Sequence, residues 1–384
     1  MSELSAQSGI YRPLDHPKVV QYHSLDALRT LAALPVILHH IHLDSHFLQA
    51  PMIEASWLMV DFFFVLSGFI ICHVYFQDCS TQRHAVRFLG LRLARIYPLH
   101  LLTLLLVLGL ELLHWVAQHS GVSQVAEGVS ENNPFSFFAQ LGLLGAHGFF
   151  DKVSWNLPAW SISAEFTCYL IFAFISMRLQ RARWKVAAWT MLGIFGAGVV
   201  IKRGVFDDPT WGVFRGLCGF GLGVLVFAFL GQFRRAISAM SRQLCLGWLV
   251  AGMVLIPLVL HATGAGMISK LSGWLLLLAA SALVIGSVVA LRDEAPVLKG
   301  LGAGRFGCIS YSIYMLHMPL IFAAQILWHK LFHYETGGGL LYQTSKVTGD
   351  VWGVGLLLLT CSVGWLSYRH LETPARMRIR KWFA

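Results

Sequence analysis

Ten apolar stretches, each close to the length at which a helix crosses a bilayer, divide the chain at 25–43, 56–76, 96–118, 159–179, 184–201, 212–230, 244–261, 272–291, 306–330 and 350–368. The polar segments between them are too short to hold a separate soluble domain. The pattern therefore predicts an all-α integral membrane protein, about ten transmembrane helices in one bundle. Residues 1–24 read as a polar tail, 25–368 as the membrane domain and 369–384 as a second, basic tail. The first tail lacks the apolar core and small-residue cleavage site of a secretory signal. The longest connection, 118–158, is not uniformly polar: residues 134–150 are rich in Phe, Leu and Gly, which suits a segment lying in the interface or re-entering the membrane.

Composition supports this reading. Of the 384 residues, 56% are hydrophobic and only 12% charged, against about 25% charged in a soluble domain. Charge then orients the bundle. Arginine and lysine gather in alternate connections, at 83–95, 178–185, 234–242, 292–305 and 369–381, which places these segments and both termini in the cytoplasm. The same bias accounts for the net charge of +10, so no nucleic-acid partner is expected. The seven cysteines are scattered and mostly inside spans, with neither a disulfide framework nor a zinc spacing.

Chemistry is sought where polar residues interrupt the spans, because an ionisable group in hydrocarbon costs at least about 2.5 kcal/mol. Arg29 and His40 are eleven positions apart in the first span. On a helix that spacing brings them within about 20° on one face and about 16 Å apart along the axis. Arg29 is either a cation facing the bundle interior or a side chain snorkelling to lipid phosphates. His40 is either a general base near neutral pH or a core histidine bonded to a carbonyl. Further candidates are Asp61 near the outer end of the second span, Ser67 at its middle, and Glu165 inside the fourth, behind Trp160. Arg92 and Arg95, three apart on one helical face, form either a positive-inside anchor or a fork of guanidinium groups for a phosphorylated ligand. Tyr311 and His317 lie in the ninth span, before Pro319. His39, His42 and His46 crowd the end of the first helix, but no cysteine or paired carboxylate completes a ligand set, so no metal is expected.

These segments together resemble the membrane acyltransferase 3 family, bacterial enzymes that acylate sugars of surface and exported saccharides. The family's Arg-x10-His signature falls on Arg29 and His40, its Asp, aromatics and Ser-Gly-Phe on Asp61 to Phe69, and its Arg-x-x-Arg on Arg92 and Arg95. Trp-Ser-x-Ser-x-Glu falls on Trp160 to Glu165, Tyr-Ser-x-Tyr-x-x-His-x-Pro on Tyr311 to Pro319, and Glu-x-Pro on Glu372 to Pro374. Ala164 stands where the family usually has valine. No hydrolase-like domain follows the tenth span, so the resemblance implies a stand-alone member.

The resemblance implies an O-acyltransferase of the bacterial inner membrane, with no bound cofactor and with acyl-CoA, most simply acetyl-CoA, as co-substrate. Arg92 and Arg95 would hold the donor phosphates and Arg29 guide the donor inward. His40 would act as base or acyl relay on a saccharide hydroxyl, with Glu165 or Asp61 orienting it. Ser67, Trp160, Tyr311 and His317 would line the substrates. Partners would be the donor, a lipid-linked or exported glycan, the bilayer and polysaccharide-biosynthesis proteins. The competing class is a transporter in which Arg29, His40, Glu165 and His317 line a substrate or proton path. No inverted repeat supports that alternative.

Overall fold

A computed structural model describes residues 22–119, 132–292, 295, 298, 307–332 and 345–382. Residues 1–21 of the N-terminal tail, and Lys299 and Arg305 of the expected cytoplasmic set, lie outside the described residues. The architecture is predominantly helical over the described residues. Its long helices are α1 (His23–His39), α3 (Met59–Tyr75), α4 (Gln82–His119), α6 (Ala159–Arg178), α7 (Ala182–Arg203), α8 (Gly212–Gln232), α10 (Arg242–Gly264), α11 (Lys270–Ala290), α12 (Ser310–Phe332) and α13 (Lys346–Ser367). Shorter helices are α2 (Pro51–Glu54), α5 (Pro134–Leu141), α9 (Arg234–Ser238) and α14 (Thr373–Trp382). Among the described residues nine helical segments are long and apolar enough to cross a membrane. The tenth expected span is α1, whose 17 residues pack in the same bundle against α3 and α12. The chain is thus an all-α multi-pass membrane protein.

The bundle is built around α3, which packs on α1, α8 and α11. In lipid there is no hydrophobic drive between helices, so close approach depends on small residues. Gly68 of α3 and Gly219 and Gly223 of α8 supply it: a β-carbon at Gly68 would overlap the backbone of Phe220, and one at Gly223 the backbone of Val65 and Phe69. Ser67, next to Gly68, is thereby fixed at the centre of the bundle.

Three boundaries depart from the hydropathy pattern. First, α1 stops at His39 rather than continuing to residue 43. The segment beyond it is drawn to the start of α13, where the Asp350 carboxylate accepts bonds from Ser45 Oγ (2.6 Å), the His46 backbone N–H (2.9 Å) and His46 Nδ1 (2.7 Å). Second, the basic stretch before residue 96 is not a loop but the first turns of α4, a single helix of 38 residues. Third, the basic C-terminal tail is helical as far as Trp382, continuing α13 through a π-helical turn, Tyr368–Glu372, into α14, which packs on α4.

The segment after α4 re-enters the bundle. Asn132 donates to Glu111 of α4 (2.7 Å), whereas Leu141 accepts from Tyr97 (3.1 Å) and Gln140 from His100 (2.8 Å). Between those anchors the chain descends along fourteen positions of α4, about 21 Å. An Asn133–Ser136 capping box starts α5, and Phe135 and Phe138 on its outer side stay exposed, as a lipid-facing surface requires. The return strand of this hairpin is pinned to α6, where Ser163 donates to the Leu143 carbonyl (2.6 Å).

Candidate active site

Helices α1, α3, α4, α6 and α12 enclose a cleft of about 760 Å³ including its open mouth. Three guanidinium groups and one carboxylate line it: Arg29, Arg92, Arg95 and Glu165. Arg29 is steadied by Asp26 one turn earlier, Nη1 to Oδ1 3.2 Å, so it faces the bundle rather than reaching out to lipid phosphates. Arg92 donates from Nη2 to the Tyr75 hydroxyl (2.7 Å) and lies over the Tyr75 ring at 4.9 Å. Its buried Nε has no hydrogen-bond partner among the described residues. Arg95, one turn along α4, projects into the same cleft.

Glu165 is held from two sides. Its Oε1 accepts from Ser67 Oγ and from Tyr169 OH, both at 2.6 Å. Tyr169 lies one turn along α6 from Glu165, and Ser67 comes from α3, so the carboxylate ties the two helices together at the cleft wall. Tyr311 also lines the cleft and donates to the Ile96 carbonyl of α4 (2.6 Å). With three cations against one anion in a space largely removed from water, the lining is suited to an anionic ligand, and the forked guanidinium geometry favours phosphate or carboxylate.

Tyr314 forms one wall of the cleft, its hydroxyl 2.9 Å from Ser161 Oγ. Beyond it stand two histidines. The Tyr314 and His317 rings are 5.8 Å apart, and those of His317 and His40 5.0 Å. His40 Nδ1 is 2.8 Å from the Val36 carbonyl and His317 Nδ1 is 2.6 Å from the Tyr314 carbonyl. A carbonyl only accepts, so each Nδ1 carries the proton and each ring, in its neutral form, keeps its lone pair on Nε2. Arg29 and His40 thus meet the same side of α12, Arg29 at the level of Tyr311 and Tyr314 and His40 at His317, as their helical spacing predicts.

Two expected site residues are placed elsewhere. Asp61 is fully buried and bonded to Arg215 (Nη2 to Oδ2 2.5 Å, Nε to Oδ1 3.3 Å) and to Trp274 Nε1 (3.0 Å). That pair joins α3, α8 and α11, and Asp61 is not among the residues that line the cleft. Trp160 packs over the same arginine, 5.1 Å from its guanidinium carbon, and against Phe64. Ser67, Glu165, Arg29, Arg92, Arg95 and Tyr311 are brought together in the cleft, and His40 and His317 meet just beyond it. Sequence reasoning gave Tyr169 and Arg215 no role, and Ser161 and Tyr314 entered it only as members of the Trp160–Glu165 and Tyr311–Pro319 motifs. Two of these carry a legible signal. Tyr169 follows Glu165 by four positions, a helical neighbour, and Arg215 is, like Arg29, a cation embedded in a span and so a candidate to neutralise Asp61.

Residues 22–370 match the family described as the Acyltransferase domain. The chain belongs to that family. Two curated relatives match this acyltransferase along most of its length. The acyltransferase MdmB of Streptomyces mycarofaciens is 24% identical over 93% of this chain and 92% of its own. A protein of Komagataeibacter xylinus whose name describes a membrane-bound transacylase, BcsY, is 24% identical over 91% of this chain and 81% of its own. A third, protein 2 in the picA locus of Rhizobium radiobacter, is 39% identical over 22% of this chain. No solved structure matches the chain. The protein is therefore an acyltransferase of the membrane.

Proposed function

We propose that this acyltransferase takes its acyl group, most simply acetyl, from acyl-CoA in the cytoplasm and delivers it to a hydroxyl of a saccharide on the opposite side of a bacterial inner membrane. The observation that carries the reading is the convergence of Arg29, Arg92 and Arg95 on one cleft. Acyl-CoA is a polyanion joined to its thioester by a long, thin arm. The guanidinium groups bind its phosphates, Arg92 and Arg95 at the basic end and Arg29 deeper. The arm then runs between the helices toward Tyr314 and Ser161.

His40 is the general base. Its Nδ1–H is committed to the Val36 carbonyl, which leaves Nε2 to take the proton of the attacking hydroxyl as oxygen bonds to the thioester carbonyl. The carbon–sulfur bond breaks and CoA leaves as thiolate, to which the proton returns. Glu165, bonded to Ser67 and Tyr169, sets the electrostatics of the cleft and balances the arginines when the donor is absent. Asp61 acts through the scaffold, holding α3 to α8. A glycan-building assembly on the outer side would present the acceptor.

The test is acetyl transfer from radiolabelled acetyl-CoA to glycans in membranes that contain the protein. His40→Ala is expected to lower the rate by about 10²-fold or more, the scale of a general base. Undiminished transfer by His40→Ala would overturn the base assignment.

A further inference from the structure

The site contains a second histidine for which one-base chemistry has no use. His317 is fully buried, its Nδ1–H is spent on the Tyr314 carbonyl at 2.6 Å, and its Nε2 has no hydrogen-bond partner among the described residues. A buried lone pair without a donor is costly unless something brings it one. The nearest titratable ring is that of His40, at 5.0 Å between centroids and 56° between planes, itself with Nε2 unprotonated. Two rings with both Nδ1 protons committed and both Nε2 lone pairs open have room for one proton and no more, since a second would set two cations side by side in the bundle interior.

Resting on the reading of His40 as the base, we propose that His317 is its positioning partner: the two rings take up the acceptor's proton as a shared charge and hold it until CoA leaves. The hydroxyl proton passes to His40 Nε2 as the new C–O bond forms. The ring so charged stands 5.0 Å, centroid to centroid, from His317, and the unprotonated His317 Nε2 stabilises the positive charge beside it in the bundle interior. When the C–S bond breaks, the proton moves to the thiolate and both rings return to their neutral forms. No proton is gained or lost over the cycle: alcohol and thioester give ester and thiol. The Tyr314 carbonyl fixes where His317 stands. Its role is exercised through His40 and not through the donor, so it belongs to the chemical step.

The discriminating variant is His317→Asn, whose amide N–H can still reach the Tyr314 carbonyl while the Nε2 position is lost. In the radiolabel assay kcat is expected to fall about 30-fold, with KM for acetyl-CoA within about 2-fold of wild type, a loss confined to the transition state. The double variant His40→Ala/His317→Asn is expected to be no slower than His40→Ala alone, because residues that act as a unit are not additive. Wild-type turnover in His317→Asn, a rise in KM at unchanged kcat, or losses that multiply in the double variant would each overturn the proposal. Should His317→Asn fail to accumulate as folded protein, His317→Leu, which likewise carries no acceptor at the Nε2 position, is measured in the same way and judged by the same outcomes. Full activity of His40→Ala would instead defeat the base reading on which this one rests, while an inactive His40→Ala beside a normal His317→Asn would defeat the shared proton alone.

Discussion

At the residue scale, the arginines that line the cleft and the arginine that does not perform different work. Arg95 lies in the cleft one turn from Arg92, where a guanidinium can meet a phosphate with two parallel bonds that lysine cannot reproduce. Arg95→Lys is therefore expected to raise KM for acetyl-CoA by about 10-fold with kcat nearly unchanged, the pattern of lost uniform binding, in steady-state assays on membranes. Arg215, closed against Asp61 and between Trp57 and Trp160 at 5.3 and 5.1 Å, is a matter of stability. Asp61→Asn leaves a buried cation without its counter-charge, a cost of about 3–5 kcal/mol. It is expected to cut the folded fraction recovered in detergent by size exclusion. Arg215→Met added to Asp61→Asn is expected to restore part of it, since removing both charges removes the penalty.

At the scale of elements, hydropathy located each helix that crosses the bundle but not where each one stops. The end of α1 is decided by Asp350, some 305 positions away from Ser45, and no local pattern encodes such a partner. The third span was begun at residue 96, well inside α4, because hydropathy reports only the part of a helix that lies in lipid. The Arg29–His40 and Arg92–Arg95 pairs were legible because helical periodicity alone fixes which face they share. Asp61 was read without its partner for the same reason that Arg215 was given no role: each is anomalous alone, and the contact that joins them spans 154 positions. The Asp350 staple gives a test at this scale. It holds the segment that follows His40, so Asp350→Ala is expected to lower kcat about 10-fold while leaving KM for acetyl-CoA within about 2-fold, a misplacement of the base without loss of the donor site. A normal kcat in that variant would show that His40 is positioned by α1 alone.

At the scale of the whole molecule, the polar groups inside the bundle form an axis. The arginine-lined cleft opens where α4 carries its basic turns, the carboxylate of Glu165 and the hydroxyl groups of Tyr314 and Ser161 follow, and the His40–His317 pair stands beyond them toward the stapled segment at Asp350. The re-entrant hairpin around α5 packs on α4 and is bonded to α6. Under the proposed function, this arrangement separates donor charge from the reacting bond and gives the protein a direction. Sealed vesicles of defined orientation test that direction. With [¹⁴C]acetyl-CoA supplied only to the outside, inside-out vesicles, which expose the cytoplasmic face, are predicted to label their glycans, and right-side-out vesicles to remain unlabelled until permeabilised. Equal labelling of the two orientations while both are intact would contradict a donor site that opens to the basic side of the membrane.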